Sequence, residues 1–214
     1  MLANSQPPDR RSAGSDPRRR RVPAPLDEAG LEELALSYVA RFATSAARLE
    51  RYLARKLRER GWAGERAQDR AEGGGEGGAA PDLAAIVARH VALGHIDDAA
   101  FARGKAGGLL RRGYGPRRVA QALGEAGIAE AIRHDIAPGE AARRRAALAL
   151  ARKRRFGPFG GALPDRAARE KQIAAMLRAG HMLTDARELV GAPNEDAALR
   201  WADEAEDEAG DDNS

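Results

Sequence analysis

Between Gly94 and Ile128 the chain reads GHIDDAAFARGKAGGLLRRGYGPRRVAQALGEAGI, a stretch punctuated so that short helices are almost the only fold open to it. A short carboxylate at Asp97 or Asp98 can accept the orphan N–H groups of a first turn, which starts the helix carrying Phe101. Gly115 and Pro116 open another helix, since proline at a first helical position loses no hydrogen bond. Gly127 suits the left-handed position beyond a last turn. Val119, Leu123 and Ala126 form one apolar stripe between these signals. The stretch holds no catalytic group, whereas Arg103, Arg111, Arg112, Arg117 and Arg118 crowd the helix junction, within reach of a partner's phosphates or carboxylates. It reads as part of a binding protein.

Helical periodicity extends over most of the chain. Leu31, Leu34, Ala35, Tyr38, Val39 and Phe42 mark an amphipathic helix ending near Ala43. Thr44 or Ser45 caps the next, which presents Leu49, Leu53 and Leu57 on one face as far as Arg60. Pro81 and Asp82 restart a helix that Gly94 ends. A short helix spans Ile128 to about Ile136, and a strongly basic one runs from Glu140 to Arg155. Pro164 and Asp165 open a helix that stops at Gly180, and Thr184 caps or begins a last one through Leu189. The GGGEGG run within residues 63–80 is a flexible loop, because a phosphate-binding glycine loop needs a preceding strand and a Lys-Ser/Thr ending. Phe156 to Gly161 is a second loop.

Three units look alike: a large apolar residue stands four positions before a glycine at Leu57, Leu123 and Met176. Eight positions before the same glycines the chain reads Leu53, Val119 and then Gln172, so the third copy is slipped or diverged. Helices too small to bury a face alone imply stacked repeats. The expected fold is all-α: three tandem three-helix repeats at residues 26–94, 95–138 and 139–192, stacked into an elongated curved molecule. A disordered basic arm at 1–25 precedes them and an acidic tail at 193–214 follows.

Composition limits what such a fold can do. With 43% apolar residues but only 4% aromatic and 32% charged, the core is built from many small helix contacts rather than one aromatic centre. The net charge of +4 is uneven: residues 1–25 hold six arginines against two aspartates, and residues 195–214 hold nine acids against Arg200. A basic body with an acidic end suits a protein that meets nucleic acid or a nucleoprotein surface, with the tail competing for the basic face. The absence of cysteine excludes disulfides and thiol catalysis. No apolar run approaches the ~20 residues needed to span a bilayer, and the N-terminus lacks a secretory pattern, so a cytoplasmic protein without membrane contact is expected. The histidines His90, His95, His134 and His181 lie in no ligand spacing and read as surface or helix-end residues. No metal, cofactor or catalytic residue is expected. Arg143, Arg144 and Arg145, with Arg152 to Arg155, add a cationic stripe if the units stack in register. Tyr114 reads as a staple between two helices, with base stacking as its other role.

GHIDDAAFA followed by RRGYGPRRVAQALGEAGI resembles the central signature of the bacterial RecX regulatory proteins, which modulate the RecA recombinase. LALSYVARFATSAARLERYLARKLRERGW is similar to that family's leading repeat, and ARKRRFGPFGG with AREKQIAAMLRAGH to its closing one, so the resemblance covers about residues 31–190. His95 stands where an aromatic residue is usual. The resemblance implies three tandem three-helix repeats, and an activity without an active site: lodging in the groove of the RecA–DNA filament and hindering strand exchange, ATP hydrolysis and coprotease function. A role in recombination, DNA repair and the SOS response follows from it. Positions matching the family's basic surface are Arg103, Lys105, Arg111, Arg112, Arg117 and Arg118, with Arg152, Lys153, Arg154 and Arg155. The implied partners are the RecA filament and the backbone of single- or double-stranded DNA, met by a monomer. A helical protein that binds DNA directly, without RecA, is the second reading of the same arginines, and a helical scaffold that ignores nucleic acid is the third. Gly104, Gly107 and Gly108 each cost ~1 kcal/mol relative to alanine inside a helix. They therefore predict either close packing or a weak first helix.

Overall fold

The computed structural model describes residues 24–64 and 80–211, so all but the edges of the expected basic arm and of the GGGEGG loop lie outside the described residues. The described residues form ten α-helices and one 3₁₀ turn: α1 (Glu28–Arg41), α2 (Ala46–Arg60), α3 (Leu83–Ala92), α4 (Asp98–Arg111), α5 (Pro116–Glu125), α6 (Glu130–Asp135), α7 (Glu140–Arg154), the 3₁₀ turn Gly157–Gly160, α8 (Arg166–Arg178), α9 (Leu183–Gly191) and α10 (Glu195–Asp211). The start signals are those of the sequence. Asp27, Asp82, Asp97 and Asp165 each accept from a backbone N–H in the first turn, and Pro116 opens α5.

The apolar residues gather into three small cores in chain order. Leu31, Ala35, Leu49, Leu53, Ile86 and Val87 join α1, α2 and α3, with Leu26 and Ile96 closing the cluster. Ala102, Ala106, Leu109, Val119, Leu123 and Ile128 join α4, α5 and α6. Ala147, Ala151, Phe159, Met176, Leu189 and Val190 join α7, α8 and α9, and Ala198 and Ala202 bring in α10. The third unit thus carries a fourth helix. Residues 195–211 are not a free acidic tail: Ala198, Ala202 and Ala205 are buried, and Arg144 donates to the Trp201 carbonyl at 2.6 Å with its guanidinium over the indole. A run of alanines at helical spacing on the inner face of an acidic segment explains the difference, since the exposed Glu195, Asp196, Asp203 and Glu204 mask it in a charge count.

The units join through the ends of their second helices. The C-terminus of α8 meets the N-terminus of α5, where Gly115 N–H donates to Ala179 O at 2.9 Å and Arg117 N–H to Gly180 O at 3.1 Å. The C-terminus of α5 meets the N-terminus of α2, where Ser45 Oγ donates to Ala126 O at 2.6 Å and Arg51 to Glu125 O at 3.0 Å. Asp98, at the start of α4, accepts from Ala46 N at 2.9 Å. Helix ends leave unsatisfied N–H groups at one end and C=O groups at the other, and here each end answers its neighbour with dipoles running head to tail. Neither Ser45 nor Gly115 caps its own helix with a side chain, while Asp165, at the outer end of the line, does. The approach is close enough to require glycine. A Cβ on Gly115 would lie 2.3 Å from the Gly180 carbonyl carbon, and one on Gly127, at φ +76°, 2.3 Å from the Ala47 Cβ.

Other local expectations resolve in the same terms. Gln172 marks divergence rather than a slip, because Met176 is fully buried and the Gln172 side chain accepts from Gly157 N at 2.8 Å. That contact helps turn the expected Gly-Pro loop into a 3₁₀ turn with Phe159 buried. The glycines of α4 do not serve close packing: a Cβ on Gly104 or Gly108 would meet nothing within 4 Å, and α4 is continuous through both.

Two of the histidines read as surface or helix-end residues, His90 and His181, do stand at or just beyond helix ends but are buried. His90 places Nδ1 3.0 Å from His95 Nδ1 and Nε2 3.5 Å from Glu32. His181, with no exposed surface, donates from Nε2 to Gly113 O at 2.9 Å and so ties α9's approach to the end of α4. A lone histidine following a helix-closing glycine, as His181 follows Gly180, is indistinguishable in sequence from an exposed one. Burial holds the His181 pKa below the ordinary 6.5, outweighing the Gly113 hydrogen bond and the nearby Asp185 charge, which both raise it.

Gly115→Ala is expected to lower stability by about 2–3 kcal/mol, because backbone must move apart at the joint. Gly104→Ala with Gly108→Ala is expected to raise it by about 1–2 kcal/mol in total. Urea unfolding of each variant checks both signs. Because the folded-state pKa of His181 is depressed, its contribution is complete above about pH 6.5 and is lost as pH falls through the folded value. The urea midpoint should therefore fall on acidification below pH 6.5, and His181→Gln should flatten that slope.

Candidate functional site

Three helix C-termini converge between the second and third units. The end of α4 brings Arg112 and Tyr114, the end of α7 brings Lys153, Arg154 and Phe156, and the end of α8 brings Arg178. They line a cleft of about 310 Å³ whose remaining walls are Leu150, Ala175 and Ala179, with no carboxylate among the lining residues. Cations belong at helix C-termini, where the carbonyl ends carry partial negative charge, so their repulsion at this spot is partly offset.

Sequence reasoning named three of these cations, Arg112, Lys153 and Arg154, and the fold brings them together from two units. It missed Arg178. The available signal was positional, since Arg178 stands in the last turn before the left-handed Gly180, as Arg111 stands before Gly113. Tyr114, read as a staple between two helices or as a stacking residue, lines the cleft and is 38% exposed. The other named residues lie elsewhere. Lys105 sits by Phe101 in a separate, mostly apolar groove at the junction of the first and second units, and Arg103 is exposed on α4. Arg117 and Arg118 are exposed at the joint, their backbone against Gly180, and Arg118 also donates to Gln121 at 2.7 Å. The N–H of Arg117 is used by the joint, so the start of α5 does not present it to an anion. Arg152 lies over the Phe159 ring, and Arg155 adopts a left-handed backbone at φ 58°.

Charge separates into two sets. Arg143 approaches the buried Asp185 at 3.7 Å, and Arg144 pairs with Glu140 at 2.6 Å besides holding Trp201, so these two are structural rather than part of an open stripe. None of Arg103, Lys105, Arg111, Arg112, Arg117, Arg118, Arg152, Lys153, Arg154 and Arg155 forms an ion pair with a carboxylate among the described residues. An unpaired guanidinium on a surface is free to take a phosphate or carboxylate bidentately. Among the described residues no group of three or more histidine, cysteine or acidic side chains is placed to hold a metal ion, and no helix is long and apolar enough to cross a membrane.

Comparison with known proteins adds an independent line. A family model described as RecX, second three-helix domain, matches residues 97–135. The regulatory protein RecX of Myxococcus xanthus (strain DK1622) is 31% identical over 192 residues, which cover 85% of this chain and 97% of that protein. The crystal structure of RecX from Lactobacillus salivarius shares the fold, with a TM-score of 0.54 at 17% identity, over 82% of this chain and 96% of that one.

The two sets of cations make opposite predictions. Arg143→Gln should destabilise the protein by about 3 kcal/mol, by leaving Asp185 buried without its counter-charge. Neutralising Arg112, Lys153, Arg154 and Arg178 together should leave the thermal midpoint unchanged or raised, because the substitutions relieve repulsion and break no pair. Scanning calorimetry of the two variants distinguishes these outcomes.

Proposed function

This chain belongs to the RecX family of regulatory proteins, and we propose that it binds the RecA–DNA filament and modulates, mostly inhibits, the recombinase, ATPase and coprotease activities of RecA. The observation that carries the reading is the cationic set left unpaired on consecutive units. A filament repeats its phosphates and acidic surfaces at a regular spacing, and a line of rigidly joined repeats meets several of them at once. The joints matter as much as the charges, since end-to-end hydrogen bonding between units fixes the spacing of one set of arginines relative to the next. Action through a surface rather than a reacting group suits a regulator of recombination and of the DNA-damage response, in the cytoplasm where the filament forms.

RecA strand exchange measured against increasing amounts of the protein tests this. Inhibition is expected at amounts far below those that coat the DNA; inhibition appearing only at coating amounts would sink the filament reading in favour of direct DNA binding. Replacing Arg112, Lys153 and Arg154 by glutamine should weaken inhibition. Each lost phosphate contact should also reduce the salt slope of DNA binding by about 0.7–0.9.

A further inference from the structure

We infer that the cleft between the second and third units seats one unstacked nucleotide of single-stranded nucleic acid, its base on Tyr114 and Phe156 and its phosphates on Arg112, Lys153, Arg154 and Arg178. This rests on the reading that the cationic face meets a nucleoprotein, and specifies what that face takes hold of.

Both rings occupy the same structural position. Tyr114 follows Gly113 at φ 85° and Phe156 follows Arg155 at φ 58°, and their amides donate to Leu109 O at 3.1 Å and Ala151 O at 2.9 Å, closing the preceding helices. Each side chain therefore leaves the backbone from a hydrogen-bonded turn, so a ligand that lies against it orders no mobile backbone. Tyr114 remains 38% exposed, and its hydroxyl has no partner among the described residues. Arg155 is the one non-glycine among the described residues with positive φ, where the second unit uses Gly113. A strained backbone is retained there while charge is kept beside the cleft, and such strain concentrates at binding sites.

The dimensions and chemistry favour a single nucleotide. A volume of about 310 Å³ lies at the lower end of small-ligand sites. Aromatic residues lining a cleft can be stacked upon only by a base that has left its own stack, because a duplex shows bases edge-on in its grooves. Stacking on a ring with phosphates on surrounding cations is how single strands are held without regard to sequence. An acidic peptide would use the same four cations, but it gives no role to two aromatic residues lining the cleft from equivalent positions.

The full chain is tested by fluorescence anisotropy with a labelled oligothymidylate and with an abasic strand of equal length and charge. The wild-type protein should prefer the strand with bases by about tenfold. Tyr114→Leu, at a half-exposed position, should remove that preference, whereas Arg112→Gln with Arg154→Gln should weaken both strands alike. Phe156 also packs on the third core, so its part is read without substitution: an iodouracil-bearing strand should photocrosslink to Tyr114 or Phe156. Equal wild-type affinity for the two strands, or crosslinks confined to other residues, overturns the inference. So does polyglutamate displacing the oligothymidylate more effectively than the abasic strand does, which would assign the cleft to an acidic peptide. The two readings fail separately. Substoichiometric inhibition of RecA with no base preference removes the cleft proposal alone. A base preference abolished by Tyr114→Leu, without any effect on RecA, removes the filament reading alone.

Discussion

The meeting of helix ends is the constraint on which the rest depends. A unit of this size buries too few apolar groups to be secure alone, and its second helix has unanswered amides at its start and carbonyls at its end. In α2, α5 and α8 those groups answer one another across unit boundaries, through Ser45 with Ala126 and through Gly115 and Arg117 with Ala179 and Gly180. The glycines at the joints follow from this. A methyl group at Gly115 or Gly127 would stand where a neighbour's atoms already are.

Arginine has two employments in this chain, and whether the guanidinium has a partner within the fold sorts them. Arg144 spends its guanidinium on Glu140, the Trp201 carbonyl and the indole face, and Arg143 compensates the buried Asp185. These charges hold α9 and α10 to α7. The cations at the C-terminal ends of α4, α7 and α8 have no such duty, and the helix dipoles make their concentration tolerable. Counting arginines along α7 cannot tell the two sets apart. The turn on which each stands relative to α9 and α10 does.

What was legible in the sequence was what depends on near neighbours. Asp97 as a cap, Pro116 as a first helical residue, Gly127 as a left-handed stop and the buried Leu123 and Met176 all follow from residues within two turns. What was hidden depends on residues far along the chain. Asp98 looked like a second candidate for the cap that Asp97 makes, yet it binds the amide of Ala46 in the preceding unit. Arg178 could be placed in a last turn from its spacing to Gly180, but only the packing of α8 beside α4 and α7 brings it to Arg112 and Arg154. His181 looked exposed because its acceptor, Gly113 O, lies 68 residues away. The acids of residues 195–211 outweighed in composition the alanines that dock α10.

The direction of the end-to-end line bears on how the chain matures. Two of the three second helices receive their partner from a segment further along the sequence: the start of α2 waits for Asp98 and Ala126, and the start of α5 waits for Ala179 and Gly180, whereas Asp165 caps α8. A ribosome delivers these pieces in order, so a unit that has fully emerged still shows bare amides until its successor has folded. Completion therefore runs one unit behind synthesis, each of the first two units being finished only when the next has folded. A chain stopped between units is left with an open helix end rather than a shorter finished protein.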